Sequence, residues 1–346
     1  MSNLSLPSKL LKGMETSSSI GMFARDTGGC LIFKLAVSRS SDEAKEIGFA
    51  ETAESALFYF TAPALSKIFS NIYANKYNIS KENISQPLNT VKNVTGEQIK
   101  NIKLAKFGQI ASTFSIILPF VFAIAPLRNL LTYEQSGKDE FVSVVGLKEN
   151  KKENNKKESE KKAASLIKKL TAAGLAGIGI TAGILSGAKN KKFYNKIQPA
   201  LTKFVKKLDF SKNGDLKLAH YGALIYPVSI ASYFYASRDK YERQENARRF
   251  SVTVPLLFFG ERITEKPIYK HFDRVFNTKV LENGRTKTYE EISKLPDKIQ
   301  KQYLKSKNLS YGLTFLTNTM AIAAAIGILN RIATKKQYQR ENKTQA

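Results

Sequence analysis

At 346 residues the chain can bury a full core without covalent staples, and its single cysteine, Cys30, excludes an intrachain disulfide. Its 55 Lys+Arg against 29 Asp+Glu leave a net charge of +26, which calls for an anionic partner; only 12 of those cations are Arg. Lysine acts as a point charge where arginine offers the fork that reads base edges, so the balance favours a membrane with anionic lipid and disfavours nucleic acid.

The N-terminal region, 1–106, is amphipathic. Its first residues form no signal-peptide core, because Glu15 and the Ser17-Ser18-Ser19 run interrupt the apolar positions. Glu43, Glu46, Glu51 and Glu54 share one arc of a helix, with Phe49, Ala53, Ala56 and Phe60 opposite. Beyond Pro63 a second apolar stripe runs through Leu65, Ile68, Phe69, Ile72 and Tyr73. Both apolar stripes are expected to face a helical neighbour.

Four stretches without a charged residue follow, each close to the ~20 residues a helix needs to cross a bilayer. They are 107–127, 170–188, 218–237 and 308–330, bracketed by Lys106 and Arg128, Lys169 and Lys189, Lys217 and Arg238, and Lys307 and Arg331. Cations at such positions reach the headgroup layer while the apolar run stays in hydrocarbon. The intervening linker 128–169 is charged, most densely from Lys148 to Lys162.

The second span carries Gly179, Gly183 and Gly187, whose spacing of four leaves a groove for a second backbone. These are the predicted helix-packing positions and a route to self-association into a homo-oligomer. The connection 189–217 sets nine lysines against Asp209 and Asp215. Lys189, Lys192, Lys196, Lys203 and Lys207 share one helical face, with Phe193, Ile197, Leu201, Phe204 and Leu208 on the other, interrupted by Pro199. A basic face beside an apolar one predicts a helix in the headgroup plane, and these lysines are the predicted anionic-lipid contacts. The third span holds His220, Tyr221, Tyr226, Pro227, Tyr233 and Tyr235. They read as an interfacial aromatic belt, since no span carries a central charge of the kind that marks an ion pathway.

Residues 238–307 are expected to form an extramembrane unit. Within it Phe250 to Gly260 is too short to cross and reads as buried or re-entrant. Asn283-Gly284 between Lys279-Val280-Leu281 and Lys287-Thr288-Tyr289 predicts a type I′ hairpin, and Thr288 with Glu291 a capping box. A basic tail, 331–346, closes the chain.

No nucleotide-binding glycine loop, nucleophile elbow, His-Glu-x-x-His or Cys-x-x-Cys pattern is present, so no enzyme, catalytic residue, cofactor or metal is implied; His220 and His271 are too few for a zinc centre. The expected fold is mainly α: a polytopic helical membrane bundle with amphipathic helices and a small extramembrane α+β hairpin unit. The expected role is a non-catalytic scaffold or lipid-associated protein of the cytoplasmic (inner) membrane, with both termini cytoplasmic. Two alternatives stay open. A channel or transporter for a small solute would bring Asn318, Thr319 and His220 to one cavity, and a soluble basic protein would bind nucleic acid with steep salt dependence.

Overall fold

The computed structural model describes residues 5–91, 94–149, 156–208, 210 and 218–343, with the backbone alone at 18, 25, 26, 218–222, 257, 324–326 and 343. Much of the Lys148 to Lys162 run, Asp209, Asp215 and the side chains of His220 and Tyr221 therefore lie outside the described residues. Among the described residues the chain is helical apart from one two-stranded sheet. The helices are α1 (Leu6–Thr16), α2 (Ser18–Phe23), α3 (Ile32–Ala36), α4 (Ser41–Ser55), α5 (Ala62–Tyr77), α6 (Lys81–Ser85), α7 (Gly96–Ser136), α8 (Phe141–Val144), α9 (Lys156–Gly187), α10 (Lys191–Lys207), α11 (Leu218–Tyr235), α12 (Lys240–Pro255), α13 (Glu261–Val275), α14 (Tyr289–Ser293), α15 (Asp297–Ala324) and α16 (Asn330–Lys343). Strands β1 (Leu281–Glu282) and β2 (Arg285–Thr286) precede α14. Four π-helical turns, Ala24–Leu31, Ala56–Thr61, Leu256–Gly260 and Ala325–Leu329, join α2 to α3, α4 to α5, α12 to α13 and α15 to α16 without a break.

The chain divides into two compact units: Met1–Gly48 with Val145–Leu147 and Asp239–Ala346, and Phe49–Val144 with Lys148–Arg238. In the second, α7 is the axis. A Thr95/Gln98 capping box starts it, and α5, α9, α10 and α11 pack along it. Ser115 of α7 meets Gly174 and Gly177 of α9, while Leu104 and Ala105 share a cluster with Leu185, so α9 runs antiparallel to α7. The Ser232 hydroxyl donates to the Phe122 carbonyl at 2.7 Å and Asn129 Nδ2 to the Ala236 carbonyl at 2.5 Å, so α11 runs parallel to it.

In the first unit the hairpin forms as its sequence dictates. Leu281 pairs with Thr286 and Glu282 with Arg285, and Asn283 and Gly284 take φ of 51° and 75°. The Asp273 carboxylate accepts from Thr278 Oγ1 (2.6 Å), Val280 N (2.9 Å), Leu281 N (2.8 Å) and Ser306 Oγ (3.3 Å), tying the hairpin to α13 and α15. The Thr288/Glu291 capping box closes on α14. Phe250 to Gly260 does not turn back; it lies within the unbroken helical run from Lys240 to Val275, with Phe259 exposed.

Among the described residues three helices are long and apolar enough to cross a membrane: Gly96–Ser136, Lys156–Gly187 and Asp297–Asn342. They contain the expected spans 107–127, 170–188 (short of its last residue) and 308–330. The expected span 218–237 forms α11, Leu218–Tyr235, whose described side chains, Ala223–Tyr235, form an apolar helix.

The faces these helices bury correct the sequence expectation. On α5 the expected stripe is only partly inward: Tyr73 is buried with Phe69 packed beside it, but Ile68 and Ile72 are exposed, while Ser66, Ser70 and Ala74 are buried. Hydrogen bonding sets that phase, because Gln109 Nε2 donates to Ser66 Oγ (2.9 Å) and the Tyr73 and Ser112 hydroxyls bond at 2.8 Å. On α4, Glu46 and Glu51 are buried, and beyond it Phe60 is exposed, the reverse of a water-facing acidic arc. On α15, Ser310 and Thr314 are 0% and 5% exposed against 53% and 51% for Leu316 and Met320. On this part of α15 small and polar side chains thus face inward and large apolar ones outward.

Candidate functional site

The basic helix begins at Asn190, whose side chain accepts from the backbone N–H of Lys192 (2.9 Å) and Phe193 (3.2 Å). Pro199 sits inside α10 without ending it. The apolar face does not wait for lipid. Leu201, Val205 and Leu208 are buried, Phe204 meets Phe107 edge-on at 5.6 Å, and Leu201 joins Tyr73, Leu104 and Leu185 in one cluster with Tyr194 and Ile197 beside it. The first turns of α7 and the end of α9 supply the covering surface that the headgroup-plane expectation assigned to lipid. What remains outward is the charge: Lys189, Lys192, Lys196, Lys203 and Lys207 are all exposed. Among the described residues none of them has a carboxylate partner. Lys100 of α7 adds a cation over the Tyr194 ring at 4.7 Å. Lys106 is instead fully buried, donating to the carbonyls of Ile84 (2.6 Å) and Gln86 (2.5 Å), which tie α6 to α7.

The glycines divide by face. Gly179 and Gly183 are exposed with nothing near the position a Cβ would take, and Gly187 sits under the Phe193 ring, 3.0 Å away by the same measure. The close approach to α7 falls on Gly174 and Gly177, where a Cβ would lie 3.1 Å from the Ser115 carbonyl oxygen and 2.8 Å from Ser115 Cβ. Gly177 was missed because the four-residue repeat draws the eye; the face Gly174, Gly177, Thr181, Leu185, Ala188 is the helical stripe that identifies it.

Three polar clusters went unread in the sequence because their members are far apart in the chain. Arg39 bonds Glu43 (2.5 Å) and Glu245 (2.6 Å); burial lowers its basicity, but the two carboxylates outweigh that and push it up. Lys307 is buried, paired with Glu15 at 2.7 Å, and boxed by the Tyr269, Tyr289 and Tyr311 rings at 5.4, 5.5 and 5.8 Å. Burial raises the Tyr269 and Tyr289 hydroxyls well above their usual range, so the rings stay neutral around the ammonium. Glu54 receives the Ser229 and Tyr233 hydroxyls at 3.4 Å each, while the Arg128 guanidinium lies 5.2 Å over the Tyr233 ring. Tyr233 is thus a buried packing and hydrogen-bonding residue, not a belt residue.

Asn318 donates to Thr264 Oγ1 and to the Thr314 carbonyl, both at 3.0 Å. The hydroxyls of Ser310, Thr314 and Thr319 are buried with no hydrogen-bond partner among the described residues. Among the described residues no group of three His, Cys, Asp or Glu side chains is placed to hold a metal ion. No family model matches the chain. No curated protein matches it, and no solved structure does.

Proposed function

We propose that this chain is a multi-pass integral membrane protein acting as a non-catalytic, lipid-associated scaffold, with the lysine face of α10 set against anionic headgroups. The inverted burial carries this reading. A water-soluble helix hides its large apolar residues and shows its polar ones. From Leu309 to Met320 α15 does the opposite, and Leu175 and Ile180 of α9 stand open to the surroundings at 64% and 65%. In hydrocarbon that arrangement is favourable, because lipid solvates large apolar side chains while small and polar ones let backbones approach and bond.

Four crossings, by α7, α9, α11 and the α15–α16 run, would leave both termini on the side of the α10 lysines. The lysine density of the 189–217 connection, nine lysines against two aspartates, is what assigns that side to the cytoplasmic face of an inner membrane. Alkaline carbonate washing tests the reading: the chain is expected to stay with the membranes, and its release would return it to the class of soluble basic proteins. A small-solute channel is the second reading, favoured by the unpartnered hydroxyls of Ser310, Thr314 and Thr319 on one helix. Solute flux in proteoliposomes that falls on Thr314→Val would promote it.

A further inference from the structure

The last turns of α10 and the first described side chains of α11 leave a groove of about 780 Å³ between them, within the usual size of a ligand site, ~300–1,000 Å³. Its floor is apolar, with Phe204, Leu208 and Leu224 lining it, and Lys203, Lys206 and Lys207 stand along one side. Lys203 and Lys207 are one helical turn apart, and Lys206 lies beside them. Lys103 of α7 is within electrostatic reach of Lys206, adding a fourth cation. Among the described residues none of these lysines meets a carboxylate. Three lysines lining an apolar trough, with a fourth cation near Lys206, match a molecule that is anionic at one end and hydrocarbon along the rest.

We propose that this groove holds one anionic phospholipid, its phosphate held by Lys203, Lys206 and Lys207 and one acyl chain laid over Phe204, Leu208 and Leu224. The proposal rests on the membrane reading above and sharpens it from a diffuse basic face to a discrete site. Phosphatidylglycerol, rather than free phosphate, is the occupant because cations alone would suit phosphate, and the apolar floor would then have no ligand to cover it.

The test uses the full chain in neutral detergent, with phosphatidylglycerol, phosphatidylcholine or inorganic phosphate added, reading the thermal shift and the lipid retained in native mass spectrometry. Phosphatidylglycerol is expected to raise Tm and to be retained at one per chain, with neither effect from phosphatidylcholine or phosphate. K203Q/K206Q/K207Q is expected to weaken retention tenfold or more, and Ala200→Phe, which fills the groove at unchanged charge, likewise. K157Q/K161Q/K168Q removes equal charge from exposed positions on α9, outside the groove and outside the basic face of α10, and is expected to stay within twofold of wild type. Equal loss from the two triple variants, full retention in Ala200→Phe, or the same shift with phosphate would overturn the site. Carbonate washing of the same variants separates the two ideas: a chain that remains membrane-bound but shows no groove-dependent retention loses only the discrete site.

Discussion

Replacing Gly177 by alanine puts one methyl group where α9 rests on α7. The added carbon would lie 2.6 Å from Ser115 Oγ, 2.8 Å from its Cβ and 3.5 Å from its Cα. The hydroxyl can rotate away, but the Cβ cannot. Carbon atoms pack best at ~3.5–4.0 Å, so the helices must separate by roughly 1 Å. Overpacking of this kind costs about 1–3 kcal/mol. Alanine also favours the helix by up to ~1 kcal/mol over glycine, an effect that obscures any single variant. Gly183→Ala supplies the reference, because it carries the same propensity gain at a position where the new methyl meets nothing within 4 Å. Propensity cancels in the difference between the two, leaving the packing cost of about 1–3 kcal/mol. For a unit of this size 1 kcal/mol moves Tm by ~2–4 °C, so thermal unfolding in detergent should place Gly177→Ala below Gly183→Ala by several degrees. The reasoning fails if Gly183→Ala is the less stable of the two. That result would put the backbone contact on the face of Gly179 and Gly183, where only a second copy of the chain could supply it.

Glu15→Ala strips the buried Lys307 ammonium of its carboxylate and should cost about 3–5 kcal/mol by chemical denaturation; pairing it with Lys307→Met should recover most of the loss, and simple additivity would argue against a coupled pair. Thr288→Ala removes the α14 cap at an expected cost of about 1 kcal/mol in thermal stability. The Glu291 carboxylate in that capping box is held below the usual range by the Thr288 backbone N–H and then by Arg285. Its contribution is therefore complete at neutral pH and lost as pH falls through the lowered folded value, so acid unfolding of Glu291→Gln should show a shallower pH dependence. Ser310→Ala deletes a buried hydroxyl with no partner and should leave stability unchanged or raise it, whereas a drop of more than about 1 kcal/mol would reveal a bonded hydroxyl.

Local signals were legible in the sequence. Asn283-Gly284 admits the positive φ of a type I′ turn at both positions, and Thr288 with Glu291 reports its own cap, because both depend on a few neighbouring residues. The charge-free stretches likewise marked helices, since flanking lysines and arginines bound them. Facing was harder to read. The stripe Leu65, Ile68, Phe69, Ile72, Tyr73 obeys the helical period, yet a period fixes an axis through the helix and not which end of that axis meets protein. Here Tyr73 is inward together with Ser66, which Gln109 holds, and Ser70, while Ile68 and Ile72 face out.

Of the proposed lipid contacts, the five lysines could be read from their wheel positions, and their side chains are exposed. Their neighbour Lys206 could not, because its relevance comes from α11 and Lys103, which a wheel drawn on one helix does not contain. Gly177 was hidden for the same reason: Ser115, its contact, lies on another helix. Glu15 and Lys307 show the general limit, being 292 positions apart in the chain and 2.7 Å apart in the fold.

Whether lipid or water meets the open face of α9 can be measured residue by residue. In a Cys30→Ser background, Ile180→Cys and Lys192→Cys place one thiol on the apolar face and one on the basic helix. Labelling of native membranes with a water-soluble maleimide should modify position 192 readily once both faces of the membrane are accessible, and leave position 180 unreacted until detergent is added. Equal labelling of the two positions in intact membranes would mean that water covers Ile180, and the apolar helices would then need protein, not hydrocarbon, to shield them.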